Sequence, residues 1–227
     1  MCGIIGQISK NKINKNKFKA LVSTLKHRGP DDNGVYFEDH VAFGQTRLSI
    51  IDLSIEGHQP MISQDEKYVI TYNGEIYNFA EIKKDLLLKG YVFKSKTDTE
   101  VILNGFIEYG EKIVEKFNGM FAFAIYDKLN DKVFFARDRS GMKPLYYYHD
   151  NNEFYFSSEV KALKHLSNGI NFDSKVLFLL LGSVPEPYTI YKEISMFPAG
   201  HYGYLFNNKL KLSKFDDYLY EPKIIKP

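Results

Sequence analysis

The sequence predicts an α+β protein built in four layers, helix on sheet on sheet on helix, with two mainly antiparallel sheets. The first observation behind this is a run of apolar segments, "MFAFAIYD", "KVFFARD", "LYYYHD" and "EFYFSSE", joined by polar turns of a few residues. Connections this short require antiparallel pairing. The second is that these segments do not alternate, since Met120 to Tyr126 is apolar on both faces. An antiparallel sheet with one wet face alternates apolar and polar residues. This sheet is therefore covered twice, by helices on one side and a second sheet on the other. The third is a pair of helical patterns, one over 79–89 through Ile82, Leu86 and Leu87 and one over 97–110, which supply a covering layer.

In chain order, residues 2–8 read as a short buried strand. A lysine- and asparagine-rich loop leads into a helix near Phe18–Lys26, and "HRGPDDNG" (27–34) is dense in turn formers. Strands follow at about 35–38 and 41–49, and "KYVITYNG" (67–74) reads as a strand running into an Asn-Gly turn. Thr97 and Glu100 give the 97–110 helix a capping-box start. Hairpin turns fall at 127–132 and 149–153, helices near 159–166 and 173–182, and a loop and hairpin across "PEP" (185–187) and "FPAGHYGYL" (197–205). Residues 2–212 form one domain, and 213–227, ending "EPKIIKP", read as a linker or tail.

At 227 residues the chain suits one large domain with a substantial core. A net charge of +2 with no basic block gives no electrostatic case for nucleic acid or a membrane surface. No apolar run approaches the roughly 18 residues of a spanning helix, and the N-terminus lacks a signal peptide's basic and apolar regions. A single cysteine excludes an intramolecular disulfide framework and a Cys-rich zinc site. A cytoplasmic protein fits these limits. Of 30 Lys and Arg, only Arg28, Arg47, Arg137 and Arg139 are arginine, and all four lie in motif-like stretches. Arginine in a lysine-preferring chain marks places that need a planar, bidentate guanidinium.

Three groups of residues carry chemistry. Cys2, the sole cysteine, becomes N-terminal once Met1 is removed. Its freed α-amine, with a reference pKa of about 7.7–8.0, then serves as general base for the adjacent thiol. The same residues also suit a small thiol packed passively in a buried strand. In "YNGEIYN" (72–78), the Asn73 amide and the Gly74 N–H supply two donors for an oxyanion, although Asn-Gly is equally a hairpin signal. Glu75 is one residue more than a two-residue turn needs. Arg47, ending a strand, and Asp98, in the first turn of a capped helix, offer a guanidinium and a carboxylate for an amino-acid substrate. Read singly, they are a surface ion pair and a complement to the helix dipole. The six histidines are scattered and read as surface or hydrogen-bonding residues.

Together, "MCGIIG", "HRGPDDNG", "RLSIIDLS" with "GHQPM", "YNGEIYN", "TDTEVIL", "NGMFAFAIYD", "ARDRSGMKPLYY" and "FSSEVKAL" resemble, in this order, the class II glutamine amidotransferase domain of glutamine-hydrolysing asparagine synthetases. The resemblance runs from Cys2 to about Tyr204 and implies an N-terminal-nucleophile hydrolase fold. It implies that Cys2 attacks the glutamine side-chain amide, that Asn73 and Gly74 hold the oxyanion, and that water hydrolyses the resulting thioester to glutamate. Arg47 would grip the α-carboxylate, Asp98 and Glu75 would receive the α-ammonium, and Arg28, Leu48 and Ile50 would support the site. Arg137 and Arg139 would brace it or face a partner domain. No cofactor or metal is implied for this half-reaction.

Family members continue into a synthetase domain that uses ATP and Mg and carries an "SGGxDS"-type loop, and no such stretch occurs here. The chain is therefore expected to need a synthetase domain, in cis or in trans, to make asparagine. Acceptor choice lives in that domain, so a glutaminase serving another acceptor, such as a sugar, fits the same motifs. So does a non-catalytic domain that binds glutamine with Met1 retained.

Overall fold

The computed structural model describes residues 1–50, 52 and 54–216. In chain order its elements are β1 (Gly3–Ser9), α1 (Lys15–Ser23), β2 (Asp32–Phe37), β3 (Val41–Arg47), β4 (Met61–Ile62), β5 (Tyr68–Ile76), α2 (Phe79–Leu88), α3 (Asp98–Tyr109) and α4 (Ile113–Lys116). There follow β6 (Gly119–Asp127), β7 (Lys132–Arg137), β8 (Tyr146–His149), β9 (Glu153–Ser157), α5 (Val160–Leu163), α6 (Phe172–Leu181), β10 (Ile194–Met196), β11 (His201–Phe206) and β12 (Lys209–Lys214). The strands form two six-stranded sheets, ordered β10-β8-β9-β1-β3-β2 and β12-β11-β7-β6-β5-β4. Every neighbouring pair is antiparallel.

The four-layer expectation holds, and β6 shows why its sequence does not alternate. Phe121, Phe123 and Ile125 face α2, α3 and α4, where Ile82, Leu86, Val101 and Phe106 complete one core. Ala122, Ala124 and Tyr126 face the other sheet and meet Ile4, Val41 and Phe43. Small residues on that inner face leave space for Phe43, Phe135 and Phe156, which pack edge to face with centroids 5.2–5.4 Å apart. The outer face of the first sheet is closed by α1 through Ile5, Phe18, Val22 and Ala42. No described helix is long and apolar enough to cross a membrane.

Several boundaries differ from expectation for local reasons. Helix α1 starts at Lys15, because the Asn14 side chain caps the N–H groups of Asn16 and Lys17 at 3.1 Å each. Its predicted last residues, 24–26, instead form turns that lead to Arg28. Leu87 faces solvent, so α2 buries only Ile82 and Leu86. The Asn-Gly of "YNGEIYN" is no turn. β5 runs through it to Ile76, with Asn73 opposite Ala122 and Gly74 opposite Phe121. Strand β12 extends to Lys214, opposite His201, so the domain continues past residue 212. The rest of the predicted tail, from 217, lies outside the described residues. Helix α6 is apolar nearly all round, and it buries only Ser174 while exposing Phe172, Leu179 and Leu180.

Candidate active site

Cys2 sits just ahead of β1 on the central strand of the first sheet, where the register of Gly3 against Thr46 brings it beside the end of β3. A Cβ on Gly3 would lie 2.7 Å from Thr46 Oγ1, so close strand approach needs glycine there. The Leu48 N–H donates to Cys2 Sγ at 3.5 Å, and Arg28 Nε donates to the Cys2 carbonyl at 2.9 Å. Arg28 also reaches Glu159 at 3.1 Å and keeps its Nη2 buried without a partner. Burial pushes the Cys2 thiol up from its ordinary value. The Leu48 N–H, the N-terminal amino group and Arg47 oppose that shift, and Asp98 adds to it. At neutral pH the thiol therefore holds its proton until a base removes it.

Asn73 and Gly74, the expected oxyanion donors, lie on the stretch of β5 whose outer edge is free of a strand partner. The Tyr72 N–H donates to Gln59 Oε1 at 2.7 Å, and the Ile76 N–H to Asp98 Oδ2 at 3.0 Å. Amide N–H groups of alternate residues leave a strand on the same side, so the Gly74 N–H points outward between these two. Side chains alternate as well: Ile70 and Tyr72 face the helices, and Val69 faces the space between the sheets. Asn73 shares that inner face, 1% exposed, with Nδ2 buried and unpartnered. A Cβ on Gly74 would stand 2.3 Å from the Met120 carbonyl, so the β5–β6 approach excludes any side chain at this position.

The charged pair is built by two other elements. Arg47 closes β3 and is held by the carbonyls of Ser54, at 3.0 Å, and Asp52. A Cβ on Gly57 would lie 2.0 Å from Arg47 Nη2, so the loop after β3 wraps the guanidinium only because residue 57 is glycine. Asp98 opens α3 and accepts from the Tyr72 hydroxyl at 2.7 Å as well as from the Ile76 N–H. Burial raises its carboxyl, which these hydrogen bonds only partly offset, and Glu75 raises it further. Thr97 caps α3 by accepting the Glu100 N–H at 3.4 Å. The return arm of the expected capping box is missing, because the Glu100 carboxylate takes the N–H groups of Lys94 and Ser95 instead. That redirected carboxylate fixes the loop leading to Asp98.

These residues converge. Cys2, Arg47, Leu48, Ile50, Asn73, Gly74, Glu75 and Asp98 all line one cavity of ≈ 160 Å³, which Met1 also borders. Ile50 stands 70% exposed at its mouth. Arg28 braces the Cys2 carbonyl from outside the lining. Arg137 ties the loop after β7 through Lys143 and Gly141 carbonyls, and Arg139 reaches the Phe117 carbonyl; neither lines the cavity. The histidines stay outside the cavity: His27 meets Glu159, His40 meets Asp131 and His58 meets Asp32, each at 2.7 Å. A larger recess of ≈ 560 Å³ lies elsewhere, around Lys10, His40, Tyr126 and Asp131, and contains none of the charged pair or the thiol. Sequence reading missed Tyr72, Gln59 and Lys143. Tyr72 and Gln59 lie inside quoted motifs, but only the fold shows that both serve the edge of β5.

A family model described as a glutamine amidotransferase domain matches residues 1–216. The chain belongs to the glutamine amidotransferase domain family. This amidotransferase domain is 43% identical over 216 residues to a putative glutamine-hydrolysing asparagine synthetase 2 of Methanocaldococcus jannaschii, covering 85% of this chain and 41% of that protein. It is 41% identical over 197 residues to the glutamine-hydrolysing asparagine synthetase 1 of Bacillus subtilis, covering 84% of this chain and 31% of that one. The amidotransferase domain thus spans less than half the length of these relatives. Its fold matches the glutamine phosphoribosylpyrophosphate amidotransferase of B. subtilis with a TM-score of 0.71 at 18% identity, over 95% of this chain and 49% of the other. The expected four-layer fold, two antiparallel sheets between helices, is therefore shared with that amidotransferase.

Proposed function

We propose that this domain hydrolyses glutamine to glutamate and ammonia through a thioester on Cys2, as the glutaminase part of a glutamine-hydrolysing asparagine synthase. The observation that carries the reading is the buried, unpartnered Asn73 Nδ2, which shares a cavity with the Cys2 thiol and the outward edge of β5 at Gly74. A buried donor left unpaired costs stability, and it is accounted for if an oxygen of the substrate completes it.

In this reading Met1 is removed and the α-amine of Cys2 takes the thiol proton. Sγ then bonds to the side-chain carbonyl carbon of glutamine, and the carbonyl electron pair moves to oxygen. Asn73 Nδ2 and the Gly74 N–H hold that oxyanion. The ammonium formed on Cys2 returns its proton to the leaving nitrogen, and the C–N bond breaks to release ammonia. Water, deprotonated by the same amine, attacks the thioester and frees glutamate with Sγ again a thiol. Arg47 pairs with the substrate α-carboxylate, and Asp98 and Glu75 receive its α-ammonium. Every step is assigned to a group of this chain or to water; ATP and Mg belong to the synthetase partner. The cytoplasm is the compartment the composition fits.

The relatives' names support asparagine as the product of the assembled enzyme. Glutamate release from glutamine by Met1-free protein, measured with and without an ATP-dependent synthetase domain, tests the reading, and no release in either case overturns it. The substrate clamp is checked separately. Arg47→Lys keeps a cation but loses the fork that the Ser54 and Asp52 carbonyls orient. Loss of a charged hydrogen bond of about 1.5–3 kcal/mol raises KM for glutamine by about 10–100-fold with kcat nearly unchanged. Steady-state kinetics checks this.

A further inference from the structure

Lys143 belongs to no step above, yet it lines the Cys2 cavity with Asn73 and Met120. It is only 5% exposed, which is rare for lysine without a partner. None of the ion pairs among the described residues uses its ammonium. The backbone around it is fixed on both sides. Its N–H donates to Asp138 Oδ2 at 2.9 Å, and its carbonyl accepts from Arg137 Nε at 2.8 Å. Asp138 is already occupied by the N–H groups of Phe121 at 3.1 Å, Ser140 at 3.1 Å and Met142 at 2.8 Å. A loop held this firmly by backbone bonds delivers a cation to the cavity wall.

We infer that Lys143 is a positioning residue for the glutaminase reaction, acting through Cys2 as a fixed positive charge that favours both the thiolate and the neutral α-amine. The inference rests on the Cys2 reading above. A nearby cation assists proton loss from either group, because each deprotonated form is one unit less positive. The other charged and titratable groups around Cys2 are Arg28 from the loop before β2, Arg47 from the end of β3, Asp52 from the loop after β3, Tyr72 and Glu75 from β5, Asp98 from α3, and Asp138 beside Lys143. Asp52, Asp98 and Glu75 oppose proton loss, and Arg28 and Arg47 assist it. Lys143 feels the same field: burial and Arg28 lower its own pKa, and Asp138, Cys2 and Glu75 resist that lowering. Its influence fades as pH rises through its own titration, which burial brings earlier than for an exposed lysine.

The test uses Met1-free protein and two readouts, the pH dependence of kcat/KM for glutamate release and the pH dependence of iodoacetamide alkylation. Cys2 is the only cysteine, so alkylation reports this thiol alone. Lys143→Met and Lys143→Gln are expected to move both midpoints up by about one pH unit, an effect of about tenfold on the acid side that closes at high pH. Lys143→Arg is expected to keep the wild-type midpoints. A uniform loss of rate with unmoved midpoints overturns the inference, and so does a shifted midpoint in Lys143→Arg, which remains informative if the neutral variants do not fold. Absence of glutamate release in the wild type strikes the glutaminase reading instead, and the alkylation midpoints still judge Lys143.

Discussion

Cys2→Ala is expected to abolish glutamate release while leaving the fold intact. The thiol contributes little to packing, since its hydrogen-bonding contacts are the Leu48 N–H and carbonyl at 3.5 and 3.7 Å. Its loss removes the sulfur that forms the acyl bond in the proposed reaction. No histidine lines the cavity, so none can direct a water in its place. Activity falls to the uncatalysed level, and the circular dichroism spectrum and Tm stay close to wild type. Residual turnover in Cys2→Ala within tenfold of wild type would assign the chemistry elsewhere.

Asn73→Ala is expected to lower kcat by about 10²–10³, or about 2.7–4 kcal/mol of transition-state stabilisation, with little change in KM. The split follows from what the amide does at rest. Its Nδ2 is buried without a partner, so it lacks a hydrogen bond in the free protein and gains one as negative charge develops. For the same reason the substitution should not lower Tm appreciably. Truncation removes an unsatisfied donor instead of stranding one. A large fall in Tm with a modest effect on kcat would make Asn73 a structural residue. The neighbouring position tells less, since Gly74→Ala drives a Cβ into the Met120 carbonyl and disturbs β5 and β6 together.

The layers were legible because they rest on local rules. Short polar turns force antiparallel pairing, and apolar residues on both faces of Met120–Tyr126 force two covering layers. The Asn-Gly turn was misread because its dipeptide signal is local, whereas the partner that keeps the strand straight, β6, lies more than forty residues on. Cys2, Arg47, Asn73, Gly74, Glu75 and Asp98 were legible as candidates for one site, since each offers a thiol, a charge or a hydrogen-bond donor within a motif, and all six line one cavity. Tyr72 and Gln59 were not. Their work is to hold Asp98 and the β5 edge at 2.7 Å, and only register and sheet order bring those atoms together. Lys143 hid for another reason: in a lysine-rich chain, one more lysine in a loop carries no signal until its burial is seen.

The pH behaviour of the whole site has a definite sign. Burial raises the Cys2 thiol, so the proposed reaction requires the neutral amine as its base. Glutamate release should rise with pH through the amine's titration and fall away in acid. In the proposed reaction that requirement makes Met1 the switch for the site, because a peptide nitrogen cannot accept the thiol proton. The direct test compares glutamate release by protein whose intact mass shows Met1 removed with release by the same chain carrying an uncleaved N-terminal extension. The account predicts saturable release from the first and none from the second. Equal rates from the two, or no release from the processed chain with or without a synthetase domain, would contradict it.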